Sequence, residues 1–298
     1  MIPVALIVTT RNEAPNIGKC LLSAAGFFEE IFVIDSESED DTCAIAKSYA
    51  AHVVSLPYVH KAIIPWIYQW GLDNLPIRSD WVMILEADQE VTPELKNELD
   101  SLFHQGTIPE DGFYVRRRQI FRGRLLRFGG YGSKYMLKLF RRGAGELDKD
   151  EQDTRVYVSG KTRKLRGAIL ENNAKESEIL FYLQKHLRYA EAFAREEYQR
   201  RQNGQRWKLE ARLFGTPDQR VLWLKGKYYR LPLHLRAFGY FFYRYIWLLG
   251  FLDGKEGAVF HFLQAFWFRL IVDIRLAELM RIGQDEGEND TRAARSSP

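Results

Sequence analysis

Val4-Ala5-Leu6-Ile7-Val8-Thr9-Thr10-Arg11-Asn12-Glu13 sets the reading of the whole chain: five apolar residues run without a break and end in a polar cluster. An unbroken run of that kind marks a strand buried on both faces, as in a parallel sheet. Pro15 is preorganised for the first turn of a helix carrying Ile17, Leu21, Leu22 and Ala25 on one side. Glu30-Ile31-Phe32-Val33-Ile34-Asp35 repeats the strand. Asp40 or Asp41 is placed to cap a helix with Ala44, Ile45, Ala46 and Tyr49. His52 to Leu56 gives a third strand, Ile63 to Leu72 a helix, and Trp81-Val82-Met83-Ile84-Leu85 a fourth strand. Thr92-Pro93-Glu94 supplies a cap, a first-turn proline and a first-turn acid for the next helix. Strands alternating with helix-length segments predict an α/β fold with a mostly parallel, doubly wound sheet flanked by helices.

Beyond residue 110 the pattern loosens. Gly112 to Ile120 and Lys134 to Arg141 read as strands around the glycine-rich Phe128 to Gly132. Arg155 to Ser159 and Lys164 to Ile169 are expected to form a small antiparallel pair. A long helical period runs from Glu178 to Gln202, and the composition turns aromatic and aliphatic after Thr216-Pro217. Gly283 to Pro298 is polar and small and is expected to be a disordered tail. The resulting divisions are 1–110, 111–175, 176–282 and 283–298.

Composition narrows the class. With 46% apolar and 28% charged residues the chain is globular rather than disordered, and two cysteines cannot staple 298 residues, so a reducing compartment is expected. Met1-Ile2-Pro3-Val4 lacks the basic region of a signal peptide. The net charge of +4 hides a polarised chain: residues 11–110 carry 6 Lys/Arg against 17 Asp/Glu, and residues 111–170 carry 16 against 6. Such asymmetry points to a metal site in the acidic part and an anionic partner for the basic part, or else to solvated faces of different sign.

Ligands of doubly wound sheets bind beyond the C-terminal ends of the strands. Thr9 to Glu13 offers hydroxyls, a cation and hydrogen-bonding groups there, and Asp35-Ser36 offers a carboxylate to a base or ribose. Glu86-Ala87-Asp88 places two carboxylates two residues apart, so that on extended backbone they face one hard cation, Mg²⁺ or Mn²⁺. Each segment also reads as a helix-capping loop; their placement on successive strand ends favours a shared site.

These segments resemble the family 2 glycosyltransferases of the GT-A (Rossmann-like) fold. The resemblance rests on residues 7–13, 30–36 with Asp41-Thr42, and 81–88, and on Phe121-Arg122-Gly123-Arg124, Leu137 to Arg142, Lys185 to Ala190 and Gly250 to Gly257. The set is similar to bacterial members that build cell-surface polysaccharide and lipopolysaccharide. It implies that Thr9, Arg11, Glu13, Asp35 and Ser36 hold the nucleoside of a nucleotide-sugar donor, most often a uridine diphosphate sugar. Glu86 and Ala87 would lie against the donor, and Asp88 would bind Mg²⁺ or Mn²⁺ against its diphosphate. Tyr68-Gln69 stands where the family commonly has an Arg-Asn pair, so no phosphate contact is expected there. The base matches Leu147 to Gln152, with Asp150 and Glu151 the candidates and Glu151 the first choice. On this resemblance the first division binds the nucleotide sugar, and the second binds the acceptor and carries the base.

The chemistry implied is a single inverting displacement. A carboxylate takes the proton of an acceptor hydroxyl, and a cation stabilises the leaving diphosphate. Arg122, Arg124 and Arg141 are candidates for an acceptor or phosphate, and no nucleic-acid motif accompanies the basic run. Ala237 to Leu252 and Gly257 to Val272 are aromatic and apolar but short of the roughly 20 residues of a membrane span. An amphipathic, in-plane C-terminal helical region is expected, on the cytoplasmic face of a bacterial inner membrane, or packed on the core. A lipid-linked glycan is the expected acceptor. The alternatives are transfer to a polyprenyl phosphate and a degenerate binding module without turnover.

Overall fold

A computed structural model describes the chain except residues 50, 59–63, 148–154, 205–206 and 296–298. Its centre is a nine-stranded sheet in the order β3-β2-β1-β4-β8-β6-β11-β5, with β7 paired to β6. The strands are β1 (Ile2–Thr10), β2 (Phe28–Asp35), β3 (His52–Ser55), β4 (Trp81–Glu86), β5 (Gln89–Val91), β6 (Gly112–Phe121), β7 (Arg124–Leu126), β8 (Lys134–Arg141) and β11 (Thr162–Glu171). β9 (Gly145–Leu147) and β10 (Val156–Val158) form a separate antiparallel pair. β1 pairs in parallel with β2 and β4, β2 with β3, and β6 with β11. Only β8 and the short β5 and β7 run against them. Thr10, Asp35, Glu86 and Glu171 therefore end on one edge of the sheet.

The helices α1 (Ala14–Ala24), α2 (Thr42–Ser48), α3 (Ile64–Asn74) and α4 (Pro93–His104) cover the two faces. Val4, Leu6 and Val8 pack on the face that receives α1 and α4, Ala5 and Ile7 on the face that receives α3. This two-sided burial is why β1 has no polar position before Thr9. α4 starts as its sequence dictates: Thr92 accepts the N–H of Leu95, Pro93 occupies the first turn, and Leu95, Leu99 and Leu102 are buried. Removing such a cap costs about 1 kcal/mol.

Three expectations are corrected. β11 does not pair with β10; its apolar Leu165, Ala168 and Ile169 are buried, so it joins the main sheet beside β6. β5 and β7 were not foreseen, being only three residues each. The last helix does not give way at Gly283. After α5 (Ile179–Asn203), α6 (Pro217–Tyr229), α7 (Leu235–Phe242) and α8 (Gly254–His261), α9 runs over Phe268–Arg295.

The C-terminal helices pack through Ala190 and Ala194 of α5 against Phe268, Val272 and Leu276 of α9. Arg236, wholly buried, donates to both carboxylate oxygens of Glu197 at 2.9 Å and to Asp273 at 2.7 Å, pinning α7 to α5 and α9. The opposite side stays uncovered, with Phe242, Ile246 and Leu252 exposed and Trp247 80% exposed. Gly250–Ile282 is long and apolar enough to cross a membrane by length and composition, yet 44% of its apolar window is buried inside the protein.

Candidate active site

The site lies on the edge where the parallel strands end. Thr10 is in register with Asp35, and Thr9 with Glu86, so the three loops leaving β1, β2 and β4 start side by side. The first two are stitched together. Asp35 accepts from the backbone and hydroxyl of Ser38, whose oxygen accepts the N–H of Asn12 at 2.8 Å. Asn12 in turn accepts from Glu39, and the N–H of Glu13 donates to Thr42 at 2.8 Å. Asn12 and Glu37 hold left-handed backbone, at φ 52° and 54°. That conformation is uncommon for a residue with a side chain and here bends both loops at the same place. Arg11 lays its guanidinium on the ring of Tyr58, 3.2 Å from the centroid, and its buried Nε has no partner. Ser36 is buried and donates its N–H to Thr10.

A second polar chain joins this half to Asp88. Lys175 donates to Glu13 at 2.6 Å and to the carbonyl of Asn12 at 2.9 Å. Asn16 bridges Glu13, at 2.6 Å, and Asn173, at 3.1 Å; Asn173 donates to Asp88 Oδ2 at 3.0 Å. Asp88 Oδ1 is buried with no hydrogen-bond partner. Burial, with Glu171 and Glu86 nearby, pushes the Asp88 carboxyl well above its usual range. A carboxyl in that position favours a proton or a nearby cation over the bare charge.

The neighbouring acids are already neutralised. Glu171, at the end of β11, accepts from Arg117 and Gln89, each at 2.9 Å. Burial alone would raise its carboxyl, but Arg117, Lys134 and Gln89 hold it below the usual range. Lys138, buried in β8, has its ammonium 3.6 Å from Glu86 and no hydrogen-bond partner; burial lowers its proton affinity against the pull of Glu86 and Glu171. Among the described residues no three His, Cys, Asp or Glu side chains are grouped to hold a metal ion. Asp88 fits a divalent ion shared with a bound diphosphate. Glu86, facing the lysine, fits as its electrostatic neighbour, and Ala87 is buried in the turn between them.

The remaining expectations divide. Thr9, Arg11, Glu13, Asp35, Ser36, Glu86, Ala87 and Asp88 come together on this edge. Glu13 and Asp35 spend their carboxylates on protein partners, so they shape the loops that carry Arg11. Arg122 and Arg124 are exposed on the turn between β6 and β7, where Arg122 and Gly123 both have positive φ, at 49° and 77°. Arg141 is not brought to the site. It ends β8, which runs the other way, in register with Trp81 at the start of β4. There it donates to the carbonyl of Ile108 and stacks on Trp81. Asp150 and Glu151 lie outside the described residues. Tyr68 donates to the carbonyl of Leu85, and Gln69 accepts from the N–H of Leu147. The sequence reading missed Glu171, Lys138 and Asn173.

Residues 5–160, just over half of the chain, match the family described as Glycosyl transferase family 2. The chain belongs to that family. Uncharacterized glycosyltransferases of Rickettsia felis and Rickettsia typhi are 31% and 30% identical over 100 residues, 34% of this chain in each case. The matched stretch spans only about a third of those relatives, 34% and 32% of their lengths. Among solved structures, S. aureus TarS aligns with a TM-score of 0.42 at 13% identity, over 91% of this chain and 55% of that one. Glucosyl-3-phosphoglycerate synthase from Mycobacterium tuberculosis, in complex with Mn²⁺ and uridine diphosphate, aligns with a TM-score of 0.30 at 18% identity, over 41% and 45%.

Proposed function

We propose that this member of glycosyl transferase family 2 is an inverting enzyme. It moves a sugar from a nucleotide diphosphate sugar, a uridine diphosphate sugar first, to a hydroxyl of a lipid-linked glycan in bacterial polysaccharide or lipopolysaccharide assembly. One observation carries the reading: a buried, unpartnered carboxylate oxygen on Asp88 stands on the same sheet edge as the Arg11 loop. That is the arrangement a hydrated cation and a diphosphate would complete.

The residues divide the work. Arg11 and Tyr58 offer a flat cationic surface beside Thr9 for the nucleoside. Asp88, oriented by Asn173, would hold Mg²⁺ or Mn²⁺; the ion, when bound, supplies positive charge against the leaving diphosphate. Lys138 and Arg117 neutralise Glu86 and Glu171, so the acids do not repel an anionic donor. Asp150 or Glu151 accepts the proton of the attacking hydroxyl. The exposed aromatic face around Phe242 and Trp247, with Lys227 and Arg230 nearby in sequence, fits peripheral attachment to the cytoplasmic face of the inner membrane.

The test is hydrolysis and transfer across a panel of nucleotide sugars, with Mn²⁺ or Mg²⁺ and with chelator, and with lipid-linked glycans as acceptors. The proposal expects metal-dependent release of one nucleotide, increased by a glycan acceptor. Equal transfer to a bare polyprenyl phosphate would move the acceptor assignment to that lipid. Binding of a nucleotide sugar without turnover on any acceptor would contradict an enzyme.

A further inference from the structure

A cavity of about 680 Å³ lies away from the strand-end loops, between α4 and the β6–β11 pair. Its walls carry Arg116, Arg118, Arg163 and Arg166. In a strand, Arg116 and Arg118 share one face and Arg117 takes the other. Arg117 reaches Glu171 in the active site, so its two neighbours are turned away from it. Their partner strand opens beside them. The β6–β11 register jumps between Lys164 and Ala168, so three residues oppose Val115 alone and the strand bulges. Gly167 is required in that bulge, because a Cβ there would lie 2.5 Å from Cα of Leu95.

Two acids also line the cavity. Glu98 turns its carboxylate to the bulge backbone, accepting from the N–H of Arg166 at 2.8 Å and of Gly167 at 2.7 Å. Glu94 is exposed on the first turn of α4, within electrostatic reach of Arg118. Arg163 is paired with Glu110 at 3.1 Å, but the Nε of Arg116 is buried without a partner. The helical wall is one face of α4, from Glu94 through Ser101 and Leu102 to Gln105, roughly 16 Å long at the helical rise per residue. It mixes polar side chains with Leu102, opposite Leu165.

We infer that this groove binds an acidic saccharide chain. Guanidinium forks take its carboxylates or phosphates in pairs, and Gln105 and Ser101 meet hydroxyls. A bare phosphate would use the arginines but leave the length of the groove unused. The choice of a saccharide rests on the proposed glycan chemistry of the protein; the binding itself does not.

The experiment is fluorescence anisotropy of labelled oligogalacturonate with the full chain, against a neutral maltooligosaccharide of equal length and inorganic pyrophosphate as competitor. Binding of the acidic chain is expected, weakening as salt rises. R116A/R118A should lower the affinity about tenfold or more, and R166A, at an exposed position, severalfold, with R220A as an unaffected control. Melting temperatures establish that each variant is folded, and R166A keeps the test open should the double variant not be. No binding by the wild type, equal affinity for the neutral chain, unchanged affinity in the folded variants, or displacement by pyrophosphate at matching concentration would each overturn the inference. Donor hydrolysis on the same preparations reports separately on the proposed enzymatic activity.

Discussion

The Asp88 centre on the strand-end edge and the Arg236 centre among the C-terminal helices both bury charge, and they treat it in opposite ways. Around Arg236 every demand is met: one guanidinium serves Glu197 and Asp273, and Asp273 also accepts the N–H of His234 at 2.8 Å. Around Asp88 the demand is left open, with one oxygen unpartnered and its neighbours Glu86 and Glu171 neutralised separately. A satisfied buried charge holds helices together; an unsatisfied one beside strand-end loops is prepared for a ligand.

Substitutions at the two centres should separate those roles most widely. Asp88→Asn should reduce donor turnover by about a hundredfold or more, in line with losing one charge-stabilising contact of an active site. Its melting temperature should stay level or rise, since the amide removes a poorly solvated carboxylate and keeps an acceptor for Asn173. Arg236→Ala should do the reverse. Leaving Glu197 and Asp273 buried and unpaired costs about 3–5 kcal/mol, read by denaturant unfolding, while nucleotide affinity in the folded fraction is retained. Equal destabilisation by both substitutions would erase the distinction.

Lys138→Met sharpens the comparison from the other side. Removing the buried ammonium beside Glu86 adds net negative charge to the donor edge, so Mn²⁺ should bind severalfold more tightly, measured by calorimetry. A weaker Mn²⁺ interaction would mean that Lys138 supports the metal site rather than competing with it.

A pH-dependent effect belongs to His261, wholly buried against Gly129 and Gly250, where burial and Arg244 push its pKa down to about 4. The unfolded chain binds that proton below about pH 6.5 and the folded chain only near pH 4. Stability from this group is therefore complete above pH 6.5 and falls between pH 6.5 and 4, by no more than a few kcal/mol. His261→Gln should melt lower than wild type at neutral pH, and the gap should narrow across that interval. A constant gap would place the histidine in a solvated setting.

How much was legible follows from the same contrast. Strands β1, β2 and β4 were readable because burial on both faces leaves a continuous apolar run, and the polar residues that end each run mark the edge where Asp35 and Asp88 lie. Thr92-Pro93 marked the start of α4 because capping is local chemistry. Glu171 was not legible: β11 contains Arg163, Lys164 and Arg166, and its place beside β6 depends on a bulge and on pairing across about fifty residues of sequence. Arg141 was misplaced for a related reason. Its basic neighbourhood resembles a phosphate site, but strand direction decides which edge it reaches, and direction is a property of the assembled sheet. The buried ion centre on Arg236 joins three helices distant in sequence and has no local signature.

Calorimetry of uridine diphosphate binding with and without Mn²⁺ decides whether a cation and a diphosphate complete Asp88. Mn²⁺ should strengthen binding to the wild type by about tenfold or more, and Asp88→Asn, folded and equally stable, should lose that gain. Identical nucleotide affinity with and without Mn²⁺ in both proteins would contradict it.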